Sequence, residues 1–336
     1  MIDQRIIDQF NKRAPFQITE DNILVLSHVG SHSHGTYIPP VDPMAVDDID
    51  YMGIIIPPVE YVLGIKSWEG LNFMFEELDC VFYSFQKFIR LLTQANPNVI
   101  GMLWMRPQEY HAQRQEWQSI LDQKALFSTL KSYNSFSGYA HEQLRKMTSF
   151  DAHTTAEWDR ANEIFEAIGW TMADVISQNV SLPMPDLQKL YDYCATQDEL
   201  RFHPSDDELT AIIADTRKVA INIHAKHFQG YMGAKRKALV RKYGYDTKNG
   251  AHLIRLLRMA LEFLQTGKFN VYRQNDAEEL KEIKQGKWPL EKVKADAEML
   301  FDKAKAARDV STLPADFDHE KVNNLVVELQ RKFYNV

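Results

Sequence analysis

A chain of 336 residues, 45% hydrophobic and 25% charged, can bury a sizeable core as one large or two moderate domains, and its composition is that of an ordinary globular protein. No apolar run reaches the roughly 20 residues needed to cross a bilayer, and Met1-Ile2-Asp3-Gln4-Arg5 does not read as a signal peptide, so no membrane association is expected. The net charge of -7 speaks against indiscriminate nucleic-acid binding; Cys80 and Cys194, without Cys-x-x-Cys spacing, suit a cytoplasmic protein with neither a disulfide framework nor a zinc knuckle.

In chain order, Ile2 to Arg13 has helical spacing, and Asn22 to His28 reads as a strand. Asp48 to Ile56 is a second strand, ended by Pro57-Pro58, and Asn72 to Asp79 alternates with period two as a third extended run. Ser84 is placed as the N-cap of an amphipathic helix from Phe85 to Gln94, which breaks near Asn96-Pro97. Strand signals then fade. Helical patterns cover 109–126, 138–147, 155–176, 187–195, 206–242, 247–265, 276–285, 290–307 and 319–333. The expectation is an α+β protein: a small mixed β-sheet core over residues 1–105 with flanking helices, then a long helical region over 106–336.

The segment between the first two strands carries the chemistry. Gly30-Ser31 leaves one strand, and Asp48-Ile49-Asp50 opens the next. A glycine turn offers backbone N–H groups to phosphate where a side chain would obstruct the approach, and Ser31 adds a hydroxyl. On a strand, Asp48 and Asp50 share one face, roughly 7 Å apart at Cα, so that together they can bind one or two Mg²⁺ ions. Asp47 points to the other face and is the weaker candidate. A third carboxylate is sought on the third extended run: Asp79, with Glu77 in reserve. His28, His32 and His34 lack zinc-site spacing and read as loop histidines, exposed or within reach of phosphate.

A second constellation lies on the helix beginning at Thr247. Leu253, Leu256, Leu257, Ala260, Leu261 and Leu264 make a broad apolar face, while Lys248, His252 and Arg255 stack in one line with Arg258 beside it. This stripe holds donors only, and its two arginines suit bidentate phosphate contacts. From Arg217 to Arg258 there are eleven Lys and Arg against the single acid Asp246, interleaved with aromatic residues, which suits a nucleic-acid backbone.

With Gly30-Ser31 and Asp48-Ile49-Asp50-Tyr51-Met52-Gly53 in place, the chain resembles the RNA repair pathway DNA polymerase beta family, within the DNA polymerase beta superfamily of nucleotidyltransferases. Tyr83-Ser84-Phe85-Gln86-Lys87-Phe88, Asn96-Pro97-Asn98-Val99, and the string from Gly244 to Met259 carry the resemblance further. It implies template-independent transfer of a nucleoside monophosphate from an NTP to an acceptor hydroxyl, with Mg²⁺ as cofactor, two ions, replaceable by Mn²⁺. Carried onto this chain, the metal ligands are Asp48, Asp50 and Asp79, and the NTP-binding residues are Gly30 and Ser31, joined by Lys248, His252, Arg255 and Arg258 from the helical stripe. The acceptor is expected to be an RNA or tRNA end. A protein hydroxyl modified by AMP transfer, or an inactive nucleotide- or RNA-binding module, are the alternatives. Residues from about 150 to 205 are extra relative to the family pattern and read as an insertion.

Overall fold

The computed structural model of the chain describes residues 2–39, 47–148 and 234–335. The chain divides into two compact units: Met1–Leu144 together with Thr247–Val336, and Arg145–Asp246. In the first, strands β1 (Ile23–His28), β2 (Ile49–Ile55), β3 (Gly70–Phe75), β4 (Leu78–Ser84) and β5 (Tyr110–Gln113) form one mixed sheet in the order β3-β4-β2-β1-β5. Only β2 and β4 run parallel, with Asp50 opposite Asp79 and Ile55 opposite Ser84; the other pairs are antiparallel. This is the expected α+β architecture.

Hydrophobic patterning explains the sheet. Ile23, Leu24, Val25 and Leu26 are all buried, as in a strand covered on both faces, whereas edge strand β3 alternates and leaves Met74 exposed. Helix α1 (Gln4–Asn11) lays Ile6, Ile7 and Phe10 against Phe73, Cys80 and Phe82 on one face of the sheet. Asp3 caps it, accepting the Arg5 N–H at 3.0 Å. Ser84 caps helix α3 (Phe85–Thr93) as expected, its Oγ accepting the Lys87 N–H at 3.2 Å.

Two sequence expectations give way. The third extended run is not one strand. It folds into a hairpin, β3 and β4, around Glu76-Glu77, with Glu76 in the left-handed region at φ 53°. The second half pairs with β2 and continues to Ser84. The helix expected from Glu109 to Leu126 starts only at Gln115, because Tyr110–Gln113 is drawn into the sheet beside β1 and the Arg114 N–H donates to the Leu24 carbonyl at 2.9 Å. A four-residue edge strand has no periodicity long enough to compete with the helical pattern beside it.

Helices α4 (Pro97–Ile100), α5 (Gln115–Asp122) and α6 (Lys131–Thr148) follow. The second unit contributes α7 (Ala234–Tyr243), closed by the Gly244 N–H on the Val240 carbonyl. The helices expected at 155–176 and 187–195, and the insertion near 150–205, lie outside the described residues. Beyond them come α8 (Thr247–Thr266), α9 (Ala277–Lys284), α10 (Leu290–Val310) and α11 (His319–Tyr334), close to the expected spans. Helix α8 buries Leu253, Leu256, Leu257, Ala260, Phe263 and Leu264, packing against α9 and α10. Phe263 and Phe269 stack at 3.8 Å with Trp104 edge-on to both, so these helices share a core with the segment between β4 and β5. Among the described residues no helix is long and apolar enough to cross a membrane.

Candidate active site

The chain leaves β1 through Val29, whose N–H donates to the Asp50 carbonyl at 2.9 Å, and enters the short helix α2 (Gly30–Ser33). Gly30 has φ 59°, and a Cβ built there would lie 2.0 Å from Asp50 Oδ2. Both backbone and space therefore demand glycine. What a side chain would strike first is the Asp50 carboxylate, which the fold lays against the turn. Ser31 is buried with its Oγ lacking a hydrogen-bond partner among the described residues, and the first-turn amides of a helix have no acceptor within it. The turn closes where the Thr36 N–H donates to the Ser31 carbonyl at 2.9 Å.

Asp50 sits beside Asp79 in the parallel register of β2 and β4. Burial lifts the Asp50 carboxyl to about 6; Lys248 pulls it down, while Asp79, Asp48 and Asp47 push it up. Burial and the charge of Asp48 raise Asp79 too, with Lys248 opposing. Asp50 and Asp79 thus both feel the charge of Asp48 and of one lysine. Asp48, just ahead of β2, is exposed. Glu77 is in the hairpin turn rather than on the strand with Asp79, and its charge acts on Arg5 of α1. Among the described residues no three His, Cys, Asp or Glu side chains are gathered as a finished metal cage. The donor set is two or three hard carboxylates, one of them disfavoured as a bare anion. That suits a magnesium ion, which takes one or two protein carboxylates and completes its shell with water and phosphate oxygens.

The stripe on α8 divides. Lys248 Nζ is 3.7 Å from Asp47 Oδ1, and its charge reaches Asp50 and Asp79. The charges of His252 and Arg255 bear on His34, in the segment after the glycine turn. Arg255 is half-buried, donates to Met259 Sδ at 3.3 Å and makes no ion pair among the described residues; burial brings its guanidinium down to about 9. Arg258 does not join them. Its guanidinium is turned to α9, donating to Asp276 at 3.0 Å and Glu279 at 2.7 Å. One step around the helix separates a free cation from one neutralised by two acids.

Asp47 differs from its sequence reading. Its side chain is almost wholly buried, held by Lys284 on α9 and by the Ile38 N–H. Lys284 was not singled out from the sequence, although Ala277, Leu280 and Lys284 share one buried row of α9, a lysine in an apolar stripe. The histidines are not exposed loop residues either. His34 Nδ1 bonds the Val271 carbonyl at 2.9 Å and its own carbonyl accepts the Arg273 N–H at 3.1 Å. At Gly35, with φ 70°, the Tyr272 ring occupies the place of a side chain. His28, His32, His111, Tyr37 and Tyr51 form a run of ring contacts, with His28 Nδ1 3.0 Å from His111 Nε2. Burial lowers His28 to about 4, lowers His32 and His111, and holds His34 well below the usual imidazole range. All four are thereby biased toward the neutral imidazole.

A mixed sheet that sets an in-register carboxylate pair against a glycine turn is the arrangement of a polymerase-beta-type nucleotidyltransferase. The sequence model of the RNA repair pathway DNA polymerase beta family (RlaP) matches residues 2–200, more than half of the chain, and the protein belongs to that family. The matched span contains the turn and the carboxylates; Lys248, His252, Arg255 and Lys284 lie beyond it. No curated protein and no solved structure gives a significant match.

Proposed function

We propose that this chain transfers a nucleoside monophosphate from an NTP to the terminal hydroxyl of an RNA, a tRNA end included. The observation that carries the reading is the contact of Asp50 with Gly30: the acid that needs a cation touches the turn that offers amides to phosphate. Asp48, Asp50 and Asp79 would hold one or two Mg²⁺ ions, or Mn²⁺ in their place. When bound, these ions supply charge neutralisation on the transferring phosphoryl group and acidify the acceptor hydroxyl.

The chain's own groups do the rest. Amides after Val29 and the Ser31 hydroxyl face the polyphosphate, while Lys248 and Arg255, with His252 between them on the stripe, hold its β and γ oxygens. The acceptor oxygen attacks the α-phosphorus, the bond to the β-phosphate oxygen breaks, and pyrophosphate leaves against those cations. The proton of the acidified acceptor hydroxyl leaves to solvent water.

Purified protein with each of four α-labelled NTPs, Mg²⁺ or Mn²⁺ and total RNA provides the test, with products sized on a denaturing gel. Label is expected in RNA, and none with Asp48→Ala combined with Asp50→Ala. Incorporation by that double variant overturns the assignment of the acids. Label found only in protein overturns the RNA acceptor and favours a protein hydroxyl.

A further inference from the structure

Lys284 ends α9 in that helix's buried row. An ammonium removed from water costs several kcal/mol unless charge and hydrogen bonds replace the lost hydration. Here the replacement comes from a short stretch around the glycine turn. Nζ donates to the Thr36 carbonyl at 2.9 Å and lies 3.0 and 2.9 Å from the two oxygens of Asp47. Asp47 Oδ2 also accepts the Ile38 N–H at 3.0 Å. Thr36 closes the turn that begins at Gly30, and Asp47 directly precedes Asp48. One ammonium thus joins the exit of the turn to the entry of the strand bearing the acids. The Lys284 carbonyl accepts the buried Thr247 hydroxyl at 2.7 Å, one residue before Lys248.

Stability alone is a poor account of this pair, because apolar side chains of similar volume commonly serve a core as well or better. Direction is what an apolar pair could not provide. We propose that Lys284 is a positioning residue for the metal-binding acids: through Asp47 it fixes Asp48 and the start of β2 relative to the Gly30 turn. The helices after residue 246 thereby set the geometry of acids that belong to the sheet. This rests on the reading of Asp48 and Asp50 as metal ligands. Among the described residues the Lys284 ammonium bonds Thr36 and Asp47, so its role is assigned through Asp47 and not through substrate.

The test uses full-length protein without nucleotide, following Mn²⁺ binding by electron paramagnetic resonance and exchange of the Ile38 amide by NMR. Lys284→Met is expected to weaken Mn²⁺ binding on the order of 10–100-fold, as loss of an outer-shell partner does, and to speed Ile38 exchange. Asp47→Asn should do the same, and the double variant should be little worse than either single, since the two act through one contact. Glu279→Gln, which loosens α9 through Arg258 rather than Asp47, should lower the melting temperature and leave Mn²⁺ affinity alone. Unchanged Mn²⁺ affinity in Lys284→Met, an equal loss in Glu279→Gln, or additive losses in the double variant overturn the inference. If Lys284→Met does not fold, Asp47→Asn decides by the same criterion. Mn²⁺ binding that survives Asp50→Asn with Lys284 and Asp47 intact would instead sink the ligand assignment, and this inference with it.

Discussion

At neutral pH the Asp50 carboxylate is charged in a place that disfavours charge. Its folded pKa of about 6 exceeds the ordinary 3.8, so between these values the folded chain binds more protons than the unfolded one. Stability of the metal-free protein from this group therefore falls as pH rises from about 4 to about 6, and stays lowered above. Asp50→Asn should melt higher than wild type at pH 7.5 without metal, lose that advantage near pH 4, and be inactive. A lower melting temperature at pH 7.5 would mean that the carboxylate is paired and stabilising. Gly30→Ala is the steric counterpart. Left-handed backbone alone costs a non-glycine residue about 1–2 kcal/mol, and the added methyl displaces Asp50 as well. Turnover should drop more steeply than thermal stability, as paired kcat and melting measurements would show.

Among elements, the two arginines of α8 give opposite expectations. Arg255 has no acid at hydrogen-bonding distance among the described residues, so Arg255→Met should raise the KM for NTP on the order of tenfold or more without lowering the melting temperature. Arg258 binds Asp276 and Glu279, so Arg258→Met should cost about 1.5–3 kcal/mol in denaturant unfolding and leave that KM unchanged. Equal KM effects would return Arg258 to the site. The sequence made the stripe legible, because spacing alone puts Lys248, His252, Arg255 and Arg258 on adjoining lines of one helix. It could not show that α9 brings two acids to the last of them, since that depends on packing between segments with no local signature. The same holds in the sheet. β1 and β2 were plain from their apolar runs and the acids from their period of two. The hairpin at Glu76-Glu77 was hidden because a left-handed turn residue is usually announced by Gly or Asn. Lys284 was hidden because it follows Glu278, Glu279, Lys281 and Glu282 in a strongly charged helix, although its own row was apolar.

At the scale of the molecule, the family match ends at residue 200, yet the unit holding the sheet also contains everything from Thr247 onward. Phe136 stacks on Phe269 at 5.1 Å, Trp104 packs edge-on to Phe263 and Phe269, and Phe85 meets Phe333. The Tyr334 hydroxyl donates to the Pro57 carbonyl at 2.7 Å, and the Leu130 N–H to that of Pro314 at 2.9 Å. A chain ended at residue 246 would leave these partners bare. Each large buried side chain returned to water costs about 1.5–3 kcal/mol, so re-exposing Phe85 and Phe136 alone removes up to roughly 3–6 kcal/mol. A domain's whole stability is only about 5–15 kcal/mol. The truncated chain should therefore bind ANS, lack a cooperative thermal transition and show no shift with NTP and Mn²⁺. A sharp transition in that fragment would mean that the sheet carries its own core and the later helices are an appendage. Loss of the transition would place the carboxylates and the cations opposing them in one cooperative unit, with a nucleotide site that neither stretch of sequence can form alone.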